Sequence, residues 1–146
     1  MPEGGGTMSM YSEALALATV AHAGQKDKAG EAYINHPVAV ASFVEGEDEK
    51  VAALLHDVIE DTWVTEEYLR PRFGDVVTDA VVAMTHLEDE PYLDYIERVK
   101  RNPLAKTVKM ADLKHNMDLN RFSVITEKEI ERVVSKYVPA LMILAA

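Results

Sequence analysis

The chain has 146 residues, of which 48% are hydrophobic and 27% are charged, and its formal net charge is −10. This length fits one domain with a single core, and the composition is typical of a folded protein rather than a disordered one. The acidic charge argues against nonspecific binding to nucleic acid or anionic lipid, because both require a basic surface. Cysteine is absent, which excludes disulfides, thiolate zinc ligands and cysteine nucleophiles.

The opening segment, MPEGGGTMS, lacks the cationic and apolar regions of a secretory signal. No run reaches the ~18 apolar residues that a membrane span needs. We therefore interpret residues 1–9 as a flexible leader and predict a cytoplasmic protein without membrane contacts. Residues 10–146 are predicted to form one domain.

The remainder of the chain shows helical periodicity, with apolar residues three and four positions apart. The first predicted helix, SMYSEALALATVAHAG, begins at a Ser12 cap, and the polar loop QKDKAGEAY follows it. Pro37 suits the first turn of a second helix that ends near Gly46, and EDEKVAALLHDVIED is predicted to be one continuous helix. Further helices are predicted for TEEYLRPRFG, DVVTDAVVAMTHL, PYLDYIERVKR, NPLAKTVKMADLKHNMDLNRF and TEKEIERVVSKYVPALMILAA, the last with a kink at Pro139. The sequence thus predicts an all-α, single-domain compact bundle of about seven or eight helices.

The octapeptide LLHDVIED, residues 54–61, places four ionisable side chains in an apolar run: His56, Asp57, Glu60 and Asp61. On one helix, residues three and four apart share a face, so these side chains would form an acidic stripe directed into the core. Neighbouring carboxylates raise one another's pKa, and a divalent cation removes this cost. Imidazole and carboxylate ligands suit manganese, iron or zinc better than calcium. The pattern therefore predicts a metal site.

Two residues elsewhere are candidates for the remaining ligands. His36 lies in YINHP, and Asp112 interrupts an apolar helical stripe in KMADLKHN. Ligands from three helices would leave positions open for water, whose pKa a bound cation lowers from about 15.7 toward about 7. Glu60, one turn past His56, could transfer that water's proton or protonate the leaving oxygen, and Asp61 could orient the same groups. These residues predict metal-dependent hydrolysis of a phosphate ester.

A basic segment between residues 98 and 121 contrasts with the acidic remainder of the chain. It contains seven basic residues against two acidic ones. Such a segment is either an exposed helix face or part of a pocket for a small polyanion. In the second case, Lys109, with Lys106 or Arg121, would bind phosphate groups.

The series YINHP, LLHDVIEDT and KMADLKHN resembles the HD-domain phosphohydrolases, and specifically the alarmone (ppGpp) hydrolase domain of the RelA/SpoT family. The resemblance extends over roughly residues 12–122 and implies the HD-domain fold. It implies one divalent transition-metal ion, usually manganese, and the ligands His36, His56, Asp57 and Asp112. It also implies a catalytic acidic pair, Glu60 and Asp61, and substrate contacts from Lys28, Tyr33 and Asn116.

The resemblance predicts a (p)ppGpp-type 3′-pyrophosphohydrolase that releases pyrophosphate from a small nucleotide. Asp27 stands where the alarmone hydrolases carry an arginine, whose planar guanidinium suits stacking on guanine. One alternative is therefore a phosphohydrolase of another nucleotide, such as a nucleoside phosphate or an NADPH-like molecule. Another is a noncatalytic sensor that binds metal and nucleotide. We interpret His22 as a capping or structural residue and His86 as an exposed one. We interpret VVSKYVPALMILAA as packed on the core or, alternatively, as a contact in a homo-oligomer.

Overall fold

The computed structural model describes residues 9–146, so that the predicted leader, apart from Ser9, lies outside the described residues. The described residues contain no strand, although one isolated bridge joins Lys26 to Ala32. None of their helices is long and apolar enough to cross a bilayer. The all-α prediction is confirmed. The helices are α1 (Met10–Ala21), α2 (Asn35–Ser42), α3 (Glu47–Leu55), α4 (Val58–Asp61), α5 (Glu66–Ala83), α6 (Tyr92–Lys100), α7 (Pro103–Asn116), α8 (Glu127–Arg132) and α9 (Val138–Ala145).

Two helices, α3 and α7, form the centre of the bundle. α3 packs against α1, α2, α5 and α7, and α7 packs also against α2, α5, α6 and α9. The run VAALL, residues 51–55, is entirely buried because apolar side chains cover every side of this helix end. Burying a leucine or valine of this kind stabilises the fold by about 1.5–3 kcal/mol. Of these two central helices, α7 carries the predicted ligand Asp112, and α3 directly precedes His56.

The octapeptide LLHDVIED does not lie on one helix, so the prediction of a continuous helix through it is wrong. α3 ends at Leu55, and α4 begins at Val58. At the junction, Asp57 has φ −109° and ψ 0°, outside the helical range. The His56 ring contributes to this break, because its Nδ1 donates to Ala53 O at 2.6 Å and so holds the side chain against the last turn of α3. The acidic side chains therefore diverge instead of forming one stripe.

Predicted helix ends at α1 and α2 also need correction, and α7 ends at Asn116 rather than continuing to Phe122 as predicted. The N-cap of α1 is Ser9 rather than Ser12, since Ser9 Oγ accepts the Ser12 amide at 3.1 Å. α2 ends at Ser42 instead of near Gly46. The Lys50 ammonium accounts for this earlier end, because it donates to the carbonyls of Ala41 at 3.0 Å and Val44 at 2.8 Å and satisfies backbone acceptors there.

The predicted breaks at Gly74 and Pro139 correspond to real irregularities. α5 is interrupted at Gly74, where φ is 84° and ψ is 172°, a conformation that only glycine adopts without strain. Between α8 and α9 the chain forms a π-helical turn at Val133–Tyr137, which ends two residues before Pro139. Proline lacks the N–H that the carbonyl four residues earlier would receive, and the wider turn accommodates this loss. We call residues 127–145, with this turn, the C-terminal helical segment.

The cap of α5 gives a test of the local structure. Thr65 Oγ1 accepts the Tyr68 amide at 3.1 Å, so Thr65→Ala is expected to lower the free energy of unfolding by about 1 kcal/mol. Thr126 precedes α8 in the same way, but its side chain makes no capping hydrogen bond, and Thr126→Ala is the matched control. Urea denaturation measures both. Equal losses for the two variants would contradict this assignment of the cap.

Candidate metal and catalytic site

A cleft of about 340 Å³ lies between the loop before α2, the junction of α3 and α4, α7 and the C-terminal helical segment. His56 lies beneath the cleft floor and is only 2% exposed. The cleft is lined by nine other sequence-predicted site residues: His36, Asp57, Glu60, Asp61, Asp112, Lys28, Tyr33, Lys109 and Asn116. The fold thus gathers residues that are up to 88 positions apart, from Lys28 to Asn116, in one concave site.

A cluster of two histidines and two aspartates, of which all but Asp57 are buried, lies at and beneath the floor of the cleft. His36, His56 and Asp112 each offer a ligand atom, and these atoms lie within 4.8 Å of one another. Asp112 Oδ1 lies 2.7 Å from His36 Nε2 and 3.3 Å from His56 Nε2. Asp57 Oδ2 lies 3.0 Å from His56 Nε2. Three of the four ligands implied by the resemblance, His36, His56 and Asp112, therefore meet at one point, and the fourth, Asp57, lies beside His56.

The His56 ring is oriented as a metal ligand would be. Because a carbonyl oxygen only accepts hydrogen bonds, Nδ1 carries the proton in the contact with Ala53 O, and Nε2 faces the carboxylates. Nε2 is buried and has no hydrogen-bond partner of acceptable geometry in residues 9–146, although Asp57 lies 3.0 Å away. A buried nitrogen in this position requires a partner. A divalent cation among these imidazole and carboxylate groups would supply it, so the residues fit a metal ion.

His36 has an orienting partner of its own. Its Nδ1 lies 2.7 Å from Nδ1 of His115, while its Nε2 points to Asp112. Burial, together with the charges of Arg121 and His36, lowers the pKa of His115 to about 4, so His115 is neutral and can accept a hydrogen bond from the His36 ring. Such a contact fixes the ring and leaves Nε2 available as a ligand atom.

The electrostatics of the cluster favour a positive charge at its centre. Burial alone lowers the pKa of His56, but the Asp57 and Asp112 carboxylates outweigh it and raise that pKa well above its usual value. Burial alone raises the pKa of Asp112, but Lys109 and the two histidines hold it well below its usual range. The carboxylates therefore stay ionised and attract a cation, whether a proton or a metal ion.

Three residues that the resemblance or the basic segment assigned to substrate binding contact the predicted ligands directly. Tyr33 donates its hydroxyl hydrogen to Asp57 Oδ2, and burial raises the pKa of Tyr33, so it remains a donor. Lys109 Nζ donates to Asp112 Oδ2 at 2.8 Å, and Asn116 Nδ2 donates to Asp112 Oδ1 at 3.3 Å. These contacts hold the two carboxylates in place. Whether the same residues also touch a substrate stays a prediction.

The predicted catalytic pair lies on α4 at the rim of the cleft. Glu60 Oε1 accepts the backbone N–H of His86 at 2.7 Å. Partial burial, with Asp57 and Glu60 close by, raises the pKa of Asp61 to about 6. A carboxyl group of this kind can exchange a proton near neutral pH. Gln25 Nε2 donates to the Asp61 carbonyl at 3.0 Å and joins α4 to the loop before α2.

The loop that holds Glu60 depends on Arg98, a residue of the basic segment. The Arg98 guanidinium donates to Ala83 O at 3.1 Å, to Thr85 O at 2.9 Å and to both oxygens of Glu90 at 2.8 and 2.9 Å. His86 lies within this loop and lines the cleft. The sequence interpretation of His86 as merely exposed missed this, because the contact with Glu60 uses its backbone N–H.

We expect Arg98→Gln to lower the free energy of unfolding by about 1–2 kcal/mol, since it removes charged hydrogen bonds to partly buried acceptors. It should also speed hydrogen exchange at the His86 amide. Arg70→Gln is the control, because within residues 9–146 Arg70 pairs only with exposed or largely exposed carboxylates on α5, and its loss should change stability much less than the loss of Arg98. Unchanged protection of the His86 amide in Arg98→Gln would show that Arg98 does not hold the loop.

The cleft also contains residues that the sequence analysis did not assign to a site. Arg132, Lys136 and Tyr137 reach it from the C-terminal helical segment, which was interpreted as core packing or an oligomer contact. Lys28 Nζ lies 3.3 Å from Tyr137 Oη, so the loop before α2 meets this segment. The spacing of Arg132 and Lys136, four positions apart in the chain, was the signal for this role in the sequence.

Asp27, which stands where the alarmone hydrolases carry arginine, has structural partners. Its Oδ1 accepts the amides of Ala29 at 2.9 Å and Glu31 at 3.0 Å, and its Oδ2 lies 3.2 Å from Arg121 Nη2. The carboxylate therefore shapes its own loop and joins it to the segment after α7. Arg121 lines the cleft as the basic segment suggested, whereas Lys106 is not among the lining residues.

Comparison with known proteins agrees with this geometry. Residues 14–118 match the model of the HD domain family. The guanosine-3′,5′-bis(diphosphate) 3′-pyrophosphohydrolase of Haemophilus influenzae is 40% identical over 116 residues, which cover 69% of this chain and 17% of that protein. The guanosine-3′,5′-bis(diphosphate) 3′-pyrophosphohydrolase MESH1 of Danio rerio is 39% identical over 136 residues, covering 78% of this chain and 74% of that protein.

A solved structure, described as a metazoan orthologue of SpoT that hydrolyses ppGpp, is similar with a TM-score of 0.76 and 26% identity, over 95% of this chain and 87% of that one. A helical bundle in which a buried histidine–aspartate cluster lies under a charged cleft is typical of metal-dependent phosphohydrolases. The chain belongs to the HD domain family. It spans only 16–18% of the length of several bacterial relatives that it matches.

Proposed function

We propose that the protein is a metal-dependent phosphohydrolase that removes the 3′-diphosphate group of guanosine 3′,5′-bis(diphosphate), or of a closely similar nucleotide, as pyrophosphate. The observation that carries this proposal is the buried cluster of His36, His56 and Asp112 beneath a cleft whose rim holds Glu60 and Asp61. Relatives that share the family carry this activity in their names. In the reaction, water gives its hydroxyl to the departing pyrophosphate and a proton to the ribose 3′ oxygen.

The proposed metal ligands are His36, His56, Asp57 and Asp112, and the proposed ion is a single divalent transition metal, with manganese as the first candidate. When bound, such an ion lowers the pKa of a water molecule and offsets the negative charge of the phosphate groups. The chain's own residues prepare this site. Tyr33 and Lys109 each hold one carboxylate, and the Ala53 carbonyl holds the His56 ring.

The carboxylates of Glu60 and Asp61 on α4 are the groups proposed to transfer protons. The His86 amide fixes one oxygen of Glu60, so that the carboxylate stays at the rim of the cleft, where it could take a proton from water or give one to the 3′ oxygen. Asp61 orients the same groups. Lys28 and Asn116 are the proposed contacts with the nucleotide. A noncatalytic sensor would require neither Glu60 nor Asp61, which favours the enzyme.

Asp27 favours a second candidate function, the hydrolysis of another nucleotide. Its carboxylate is engaged by loop amides and by Arg121, so position 27 offers no guanidinium plane for stacking on guanine. A cytoplasmic location, a small nucleotide as the partner rather than nucleic acid or a membrane, and a homo-oligomer stay predictions.

The metal content of the purified protein tests the proposed metal site directly. We expect about one divalent metal ion per chain in the purified protein and loss of most of it in His36→Ala and Asp112→Ala, because each removes a ligand atom. His22→Ala is the matched control, since His22 is equally buried but lies outside the ligand set. Elemental analysis, with circular dichroism to verify folding, measures the outcome. Full occupancy in the folded His36 and Asp112 variants would rule out this ligand set.

Glu60→Gln separates metal binding from chemistry. The variant should keep its metal but release pyrophosphate from guanosine 3′,5′-bis(diphosphate) about 10²-fold more slowly, the usual effect of losing a positioned acid or base. Glu67→Gln, an exposed glutamate on α5 away from the cleft, should behave as the wild type. If Glu60→Gln turned over at the normal rate, another group would have to carry the proton.

A further inference from the structure

His22, at the C-terminal end of α1, is a buried histidine that neither the proposed metal site nor the proposed reaction uses. It is 2% exposed, and its Nε2 is buried with no hydrogen-bond partner within residues 9–146. A buried polar atom of this kind is unfavourable compared with an apolar one. An apolar residue would therefore be the better choice at this position if packing were the only role of the side chain.

The other ring nitrogen of His22 holds the side chain of Gln25. Gln25 Nε2 donates to the Asp61 carbonyl at 3.0 Å, and a carbonyl oxygen only accepts hydrogen bonds. The amide oxygen of Gln25 therefore faces the ring, 2.8 Å from Nδ1 of His22. Burial lowers the pKa of His22, and the neutral ring carries its one proton on Nδ1, where it donates to that oxygen. His22 thus determines which end of the Gln25 amide group faces Asp61.

A tight turn of the chain brings His22 and Gln25 together. The Gln25 amide donates to the His22 carbonyl at 3.0 Å, and Gly24, inside the turn, has φ 85°, a conformation that glycine adopts without strain. The Gln25 carbonyl then accepts the Tyr33 amide at 2.9 Å. Neither His22 nor Gln25 is among the residues that line the cleft. Both can therefore affect the reaction only through other residues.

α4, which carries the proposed catalytic carboxylates, needs contacts from outside to keep its position. It has only four residues, and a helix of this length is not stable by itself and leaves its last carbonyls without partners in the helix. The His86 amide holds the Glu60 side chain. The Gln25 side chain holds the Asp61 carbonyl at the other end of the contact described above. The position of Asp61 therefore depends on the orientation of Gln25.

We propose that His22 is a positioning residue for the reaction, which acts through Gln25 to hold Asp61 and the end of α4 at the rim of the cleft. This inference rests on the proposed function, in which Asp61 orients the groups that exchange protons. The His22 ring also lies 4.7 Å from the Tyr33 ring, between centroids, and Tyr33 donates to Asp57. Packing on Tyr33 is the competing explanation for an effect of His22 on the reaction, so a test must separate packing from the hydrogen bond.

Two substitutions of His22 make this separation. His22→Phe keeps a ring against Tyr33 but has no donor, whereas His22→Asn loses the ring but keeps an N–H donor near the position of Nδ1. In His22→Phe, kcat for guanosine 3′,5′-bis(diphosphate) should fall about 10-fold and KM should change less than about twofold, because Asp61 is displaced while no substrate contact is lost. His22→Asn should restore kcat to within about threefold of the wild type. A normal kcat in His22→Phe, or equal losses in both variants, would overturn the proposal.

A double variant tests whether His22 acts through Gln25. Gln25→Ala should lower kcat about 10-fold by itself, and adding His22→Phe should lower it no further, because both substitutions remove the same contact with Asp61. Thr19→Val is the control, since Thr19 is exposed on α1, hydrogen-bonds to the Leu15 carbonyl at 2.6 Å and is not among the cleft residues. Its kcat should equal that of the wild type. Losses that multiply in the double variant would show that His22 acts by another route, and would overturn the proposal.

Hydrogen exchange in α4 separates this inference from the proposed reaction, because it requires neither substrate nor metal. The amides of Asp61 and Thr62 donate to carbonyls four residues earlier, at 3.0 and 3.2 Å. Both should exchange about 10-fold faster in His22→Phe and Gln25→Ala than in the wild type or His22→Asn, because α4 opens more often. If the wild type hydrolyses no nucleotide but this pattern holds, the proposed function is wrong and the positioning of α4 by His22 stands. If exchange is the same in all four proteins, the inference is wrong whatever the hydrolytic activity.

Discussion

The buried carboxylate of Asp112 on α7 makes the contacts on which the arrangement of the site depends. It is 3% exposed, receives the Lys109 ammonium from its own helix and lies against His36 of α2 and His56 at the end of α3. An isolated carboxylate in this position would be unfavourable by several kcal/mol, so α7 can pack here only with these partners in place. The same contacts bring two imidazoles to one point. The packing of α7 against α2 and α3 therefore requires the same arrangement of side chains as the proposed metal site.

The break between α3 and α4 divides the chemistry of the octapeptide. Asp57, at the break, turns its carboxylate to His56 and the Tyr33 hydroxyl, and so belongs to the buried cluster. Glu60 and Asp61, beyond the break, lie at the rim of the cleft. A continuous helix would place these groups along one stripe, where their negative charges would oppose one another. Separation lets the floor of the cleft attract a cation while the rim stays available for proton transfer.

The helices and most of the site were accessible from sequence because each has a local signal, either apolar periodicity or ionisable residues within an apolar run. The helix break at Asp57 could not be predicted from the sequence, because the apolar spacing of LLHDVIED is the same on both sides of it. The hydrogen bond from the His56 ring to the Ala53 carbonyl does not change that spacing. The role of His86 uses a backbone N–H, which any residue offers. Arg132 and Lys136 reach the cleft only through the packing of the C-terminal helical segment, far from the motifs in the chain.

The most direct test of the account is a crystal structure of the protein grown with Mn²⁺, with the ion located by its anomalous scattering. We expect one ion per chain, bonded at about 2.0–2.3 Å to Nε2 of His36 and of His56 and to carboxylate oxygens of Asp57 and Asp112. The His56 Nε2, which lacks a partner of good geometry, should then have one. An ion held elsewhere in the cleft, with His56 Nε2 and Asp112 left unbonded to it, would contradict the account.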